Sequence, residues 1–134
     1  MKKTEKITGV LVDVKAGVAR EATIEKSLSG YYKALDCSCI DIVSRHIGGQ
    51  GFDIVCDDEA LLKDSPRPSA LSEMIDGNGR QIMLYGSLFV VNYAGNGELC
   101  SLRQGQIKHI MRYVRKLVDR QTKETYPCLI DVEW

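Results

Sequence analysis

Apolar and polar positions partly alternate over Ile7-Thr8-Gly9-Val10-Leu11-Val12-Asp13-Val14, and the β-branched content predicts a first strand there. Lys15-Ala16-Gly17 predicts a turn, followed by a short strand from Val18 to Ile24. Leu28, Tyr31, Tyr32 and Leu35 then share one helical face behind a capping Ser27, which predicts a short helix in spite of Gly30. Strand pattern returns from Cys39 to Arg45. Gly48-Gly49-Gln50-Gly51 reads as a turn into Phe52-Asp53-Ile54-Val55-Cys56, and so as a β-hairpin. From Asp57 to Ser72 no period survives, and Pro66 and Pro68 hold their predecessors extended. Gly77-Asn78-Gly79 and Gly95-Asn96-Gly97 are turn signals that bracket strands at 81–84 and 88–93, with Gly86 a bend or bulge between them. Behind Ser101 as N-cap, Ile107, Ile110, Met111, Val114, Leu117 and Val118 recur at three- and four-residue spacing. They predict a helix from about Leu102 to Gln121, roughly 30 Å long. Alternation resumes in the tail, where Cys128, Ile130, Val132 and Trp134 fall on one side of an expected edge strand.

The expected class is therefore α+β: a mostly antiparallel sheet with one short and one long C-terminal helix on one face. At 134 residues, 44% of them hydrophobic and 27% charged, the chain suits one ordered domain over residues 1–134. Its core is expected over about 7–121, with the strand-like tail at 126–134. No internal repeat, low-complexity stretch or linker interrupts it.

Charge changes this picture only locally. Eighteen Lys and Arg balance eighteen Asp and Glu, so attraction to nucleic acid or anionic lipid is not a property of the whole molecule, and little net charge opposes self-association. Five cysteines, at 37, 39, 56, 100 and 128, make an odd set without a Cys-x-x-Cys pair, which fits reduced thiols and a cytoplasmic setting. The polar start of the chain and the absence of a long apolar run predict neither signal peptide nor membrane span.

Candidate chemistry is sparse. Gly48-Gly49-Gln50 spells the tripeptide with which release factors hydrolyse peptidyl-tRNA, yet between two strand patterns it reads as a turn. Cys37-x-Cys39, placed on a strand, would turn both thiols to one side without a second pair to complete a metal site. His46 and His109 stand far apart, and no phosphate-binding glycine loop or zinc-protease helix is present. No catalytic residue, metal or cofactor is therefore assigned, and the chain is expected not to be an enzyme. Between Arg103 and Lys123, Arg103, Lys108, Arg112, Arg115, Lys116, Arg120 and Lys123 face a single acid, Asp119, so the predicted long helix carries a basic outer face. Asp53, Asp57, Asp58, Glu59 and Asp64 form an acidic stretch. Six tyrosines suggest stacking surfaces, and Tyr85, Tyr93, Arg45, Arg67, Arg80 and Asn92 are the candidate lining of a pocket that stacks a base and neutralises a phosphate.

In order and spacing, the strands Gly9-Val10-Leu11-Val12-Asp13, Cys39-Ile40-Asp41-Ile42-Val43 and Phe52-Asp53-Ile54-Val55-Cys56 resemble a phage and mobile-element family catalogued as a domain of unknown function, number 3846. The likeness continues through Pro66 to Leu71, Tyr85-Gly86-Ser87-Leu88-Phe89-Val90-Val91 and Glu98-Leu99-Cys100-Ser101-Leu102, covering about Ile7 to Ile110. Where such sequences tend to show Asn-Arg-Ala-Leu, this one has Pro68-Ser69-Ala70-Leu71. The basic helix to Gln121 and the tail extend beyond the common pattern. The resemblance implies a phage or plasmid accessory protein and carries no activity with it. The expected function is non-enzymatic counter-defence: sequestering a cyclic nucleotide or other phosphate-bearing immune signal as a homo-oligomer. The alternatives are docking on a host defence protein, with the tail as an exposed or exchanged strand, and nucleic-acid binding through the basic helix.

Overall fold

The computed structural model describes residues 5–63, 66–75, 81–93 and 98–133, with the backbone alone at 73–75 and 81–83. β1 (Lys6–Asp13) and β2 (Val18–Glu25) form a hairpin closed by Asp13, whose carboxylate accepts from the Lys15 and Ala16 amides. Helix α1 (Leu28–Leu35) starts as its sequence predicts, with the Ser27 hydroxyl accepting from the Gly30 amide at 3.1 Å. Gly30 is there for space: a Cβ would lie 2.0 Å from the Glu25 carbonyl oxygen, where the helix sits on the end of β2.

β3 (Ile40–Ile47) and β4 (Gln50–Asp57) pair in register from Ile40–Asp57 to Ile47–Gln50. The two residues between them, Gly48 and Gly49, have φ of +56° and +82°, the double left-handed geometry of a tight hairpin turn. The Gly-Gly-Gln tripeptide is thus a hairpin turn, as read. A 3-10 turn at Ala60–Leu62 and then β5 (Pro68–Ile75) occupy part of the segment that shows no sequence period. β6 (Gln81–Tyr85) pairs with β5, and Gly86, at φ +78°, bends the chain into β7 (Leu88–Tyr93). Both Gly-Asn-Gly turn signals lie outside the described residues.

The long C-terminal helix is not formed. β8 (Leu99–Cys100) leads into α2 (Gln104–Met111), only eight residues long, and the chain then becomes β9 (Val114–Val118), β10 (Thr125–Leu129) and β11 (Val132–Glu133). Its N-cap is Arg103, not Ser101, whose hydroxyl instead accepts from the Thr8 amide at 3.0 Å. Val114, Leu117 and Val118 keep helical spacing, but β-branched residues prefer a pleated surface when a partner strand is available. β10 supplies it: Val118 stands opposite Thr125 and Val114 opposite Leu129.

Two sheets result. A seven-stranded antiparallel sheet runs β11-β3-β4-β7-β1-β2, with β8 added beside β7, and a four-stranded sheet runs β6-β5-β10-β9. β5 and β10 are the parallel pair, joined at Ala70–Leu129. The fold is α+β and mostly antiparallel, but its helices do not share a face. Tyr31 and Leu35 of α1 pack on Ile7, Leu11, Val55, Phe89 and Val91, whereas Ile107 and Ile110 of α2 join Val10, Val12, Ile54, Leu88 and Val90 on the reverse side. Ala70 and Leu129 of the second sheet bury against that reverse side too, so the second sheet and α2 together cover it. The tail pairs within its own chain, through β10 in one sheet and β11 in the other, with Asp131 at φ +56° turning the corner between them. No helix among the described residues is long and apolar enough to cross a membrane.

Candidate functional site

Of the six residues proposed as a pocket, the five that the structure describes do not assemble. Arg45, Phe52, Asn92 and Cys100 stand opposite one another in a row across four strands, so Arg45 and Asn92 share a face with the buried Phe52 ring between them. Asn92 accepts from the Gln106 amide at 3.1 Å, and the half-buried Arg45 donates to the Ser44 carbonyl at 2.8 Å; burial pulls its pKa down. Tyr93, adjacent to Asn92 on β7, points to the other face and is 55% exposed. Arg67 and Tyr85 lie at the opposite end of the molecule, where Arg67 bonds to Val14 and Tyr85 pairs with Pro68. Five residues of β4, about 16 Å of strand, separate the two ends. Arg80 is outside the described residues.

A cleft of about 350 Å³ lies at the Arg67 end. It forms where the β1–β2 turn, the end of α1, the 3-10 turn, the Pro66-Arg67 segment and the β9–β10 turn converge. Val14, Leu35, Ala60 and Gly86 give it apolar walls; Lys15, Lys63, Ser87 and Thr122 bring polar groups to it. Arg67 forms one wall and is heavily engaged. Its Nε donates to Asp119 at 3.0 Å, Nη1 to the Val14 carbonyl at 2.7 Å, and Nη2 to Thr122 and Glu124 at 3.3 and 3.2 Å. Its guanidinium also lies 5.2 Å from the centre of the Tyr126 ring, within cation–π range. Four of five N–H groups are used inside the chain, so Arg67 ties β5 to β1 and to the β9–β10 turn.

Asp119 receives the Gln121 and Thr122 amides as well as Arg67, and these bonds hold its pKa below the ordinary value of 3.8. A carboxylate depressed in the folded state stabilises fully above its unfolded pKa, and that contribution is lost as pH falls through the folded value. For Arg67→Gln, the difference in urea midpoint from the parent chain is therefore expected to shrink as pH is lowered from about 6 to about 2. A constant difference would assign the role of Arg67 to its bonds to Val14 and Thr122 and its packing on Tyr126, groups that do not titrate in this range.

The cleft's two lysines are placed differently. Lys63 donates to the buried Asp57 carboxylate at 2.6 Å and to the Asp36 carbonyl at 3.0 Å, and the Asp57 bond raises its pKa. Lys15 pairs with the Asp36 carboxylate, whose pKa that hydrogen bond lowers. An ammonium has three N–H groups, so among the described residues one is unused on Lys63 and two on Lys15. Asp57 also receives the Glu59 amide at 2.9 Å, and both Asp119 oxygens are occupied. Cations and acids thus both line the cleft, with Lys15, Lys63 and Arg67 set among Asp57, Asp119 and Glu124.

Four of the five thiols have raised pKa values. Burial pushes Cys56 up to about 11 and Cys128 to about 12. Cys37 is raised by burial and Cys39 by its bond to Glu59. Cys37 and Cys39 precede β3 and do not share a strand face as the sequence suggested. Among the described residues, no three His, Cys, Asp or Glu side chains gather as a metal site would require. His109 sits between Phe52 and Tyr113, with Nε2 2.8 Å from the Ile47 carbonyl oxygen.

The predicted basic helix face is divided among elements. Arg103 caps α2, Lys108 lies on it, Arg112 ends it, and Arg115 and Lys116 are on β9. Sequence reasoning named Arg67 but passed over Lys15, Lys63, Asp57, Ser87 and Thr122. The available signal was the aperiodic stretch from Asp57 to Ser72, since long irregular connections between strands often carry binding groups.

Comparison of the chain with curated proteins and with solved structures found no match. A family model described as Domain of unknown function (DUF3846) matches residues 7–116, from the start of β1 into β9. This match spans the first sheet apart from β11, both helices and the cleft's Lys15, Lys63 and Arg67, and the chain belongs to that family.

Proposed function

We propose that this chain is a binding protein that captures a small phosphate-bearing molecule in the cleft between Lys15, Lys63 and Arg67. The observation that carries the reading is the convergence of Lys15, Lys63 and Arg67 on one cleft, where three ammonium N–H groups of the two lysines have no partner among the described residues. The exposed Lys15–Asp36 pair costs little to rearrange, so Lys15 can turn to an anion while Lys63 keeps its hold on Asp57. Leu35, Ala60 and Val14 offer apolar surface to the rest of the ligand. The volume lies at the small end of the roughly 300–1,000 Å³ usual for ligand sites, which suits one nucleoside phosphate better than a cyclic oligonucleotide.

This reading keeps the nucleotide chemistry expected from the sequence and moves it from Arg45, Asn92 and Tyr93 to the opposite end. Its cellular setting, a phage or mobile-element accessory protein that sequesters a nucleotide immune signal, is part of the proposal. The test is calorimetric titration with mononucleotides, cyclic mononucleotides, cyclic dinucleotides and inorganic phosphate. Lys15→Ala and Lys63→Gln are each expected to weaken nucleotide binding by about tenfold, the scale of a charge-assisted hydrogen bond. Binding unchanged in both variants, or no heat with any ligand, would sink the proposal.

A further inference from the structure

β9 has an unused side. Among the described residues it pairs with β10 alone and ends the four-stranded sheet. The ladder fixes which groups face outward. Asp119 donates to Glu124 at 2.8 Å and Ile130 to Tyr113 at 2.8 Å, and the register between them is unbroken. Residues 113, 115, 117 and 119 therefore spend their backbone groups on β10, while the N–H and C=O of Val114, Lys116 and Val118 point away from the sheet. Val118 is 57% exposed, and Arg115 and Lys116 are exposed.

The surroundings of this edge are strongly cationic. Arg112, Arg115, Lys116, Arg120 and Lys123 all lie exposed on β9 or within five residues of it, and none is ion-paired among the described residues. The acids of the same segment, Asp119 and Glu124, are taken by Arg67. A second copy of the chain fits badly: the self-pairing that uses all three outward residues sets Lys116 against its own symmetry mate. Arg115 at present donates to the Val114 and Arg112 carbonyls, so its side chain caps one outward acceptor.

We propose that the β9 edge is a docking strand for an acidic extended peptide segment of a partner protein. The partner adds a strand beside Val114–Val118 and sets acids against Arg115 and Lys116 and an apolar side chain against Val118. Its amides and carbonyls take the outward groups of Val114, Lys116 and Val118, and its amide at the Val114 carbonyl releases the Arg115 guanidinium to a carboxylate. The strand residues proposed to pair, Val114–Val118, do not line the cleft proposed to bind a phosphate-bearing molecule.

The test is fluorescence polarisation with the full chain and a labelled eight-residue peptide centred on Val-Val-Glu-Glu. Three comparisons accompany it: a Val-Val-Lys-Lys peptide, the acidic peptide N-methylated at alternate amides, and a single-stranded oligonucleotide. Saturable binding of the acidic peptide is expected, weakened by about tenfold or more by N-methylation and, separately, by Lys116→Glu. Failure of the acidic peptide to bind would overturn the proposal. So would equal binding of the N-methylated form, because charge without strand pairing is then sufficient, as would an oligonucleotide that outcompetes the peptide at equal charge. The N-methyl comparison uses the unaltered protein, so misfolding of a variant cannot produce its result.

Discussion

A chain ended at Glu124 is expected to lose its cooperative fold. The removed residues look peripheral, since they follow the segment that the family model matches. In the structure they are central: Tyr126, Cys128, Leu129 and Val132 are almost wholly buried. β10 lies between β5 and β9, and β11 is the partner of β3 along its outer side. Each large apolar side chain contributes about 1.5–3 kcal/mol on burial, so the four together approach the 5–15 kcal/mol that is the whole stability of an ordinary domain. The truncation also strips β9 of its partner strand. Far-ultraviolet circular dichroism with urea titration checks this. A sharp transition with an undiminished slope would show that the first sheet and its helices stand alone.

Gly9→Ala carries the second large effect, at a single position. β1 pairs with β7 only over Val10–Val12, and at Thr8 its carbonyl accepts instead from the Leu102 amide at 2.9 Å. Gly9 sits where one partner gives way to the other, and β7 passes unusually close. A Cβ there would lie 2.2 Å from the Val90 carbonyl oxygen and 2.9 Å from the Phe89 Cζ. The first neighbour is backbone in the middle of a sheet and cannot turn aside. The expected cost is about 3 kcal/mol, the upper part of the range for core overpacking, with a fall in Tm of roughly 10 °C. Gly105→Ala is the matched control, because a Cβ on Gly105 in α2 meets nothing within 4 Å. It should leave Tm unchanged or raise it by a few degrees, since alanine is the better helix former. Equal Tm values for the two variants would show that β7 yields at Gly9.

The parts of the fold that were legible in the sequence depend on neighbours close along the chain. Ser27 and Gly30 are three residues apart, Gly48 and Gly49 are adjacent, and the β1–β2 and β3–β4 hairpins appear where their turn residues place them. α2 and β9 were misread because Ile107, Ile110, Val114 and Leu117 satisfy helical spacing, while the strand that overrides it begins only at Thr125. Nothing local distinguishes the two outcomes. β5 is a similar case: its parallel contact is Ala70 with Leu129, in a strand that follows β6, β7, β8, α2 and β9 along the chain. The candidate pocket failed for the same physical reason. Arg45 and Asn92 do share a face, as their strands predict, but whether Arg67 joins them depends on how the second sheet packs on the first, and it packs at the far end.

Pro127 shows how closely the middle of that second sheet is specified. A proline in an interior strand removes a ladder donor, yet here it stands opposite Lys116 at a position where β10 does not bond to β9. Its ring faces the β5 side, where the bridge to Ala70 forms at Leu129 instead.

The parallel contact between Ala70 and Leu129 also sets an order of events during synthesis. The β1–β2 and β3–β4 hairpins can pair once Asp57 has been made, but β7, which lies between β4 and β1, joins them only later. The β5–β6 pair must then wait, through the synthesis of β7, β8, α2 and β9, for β10, the strand that ties β5 into the second sheet. Closing so long a loop is slow, and until it closes the apolar side of the first sheet that Leu129 and Val132 will cover stays open to water and to other nascent chains. On a ribosome this side of the core is expected to stay unfinished until Leu129 and Val132 emerge. Its yield in a cell will therefore follow chaperone supply more closely than the stability of the finished fold would suggest.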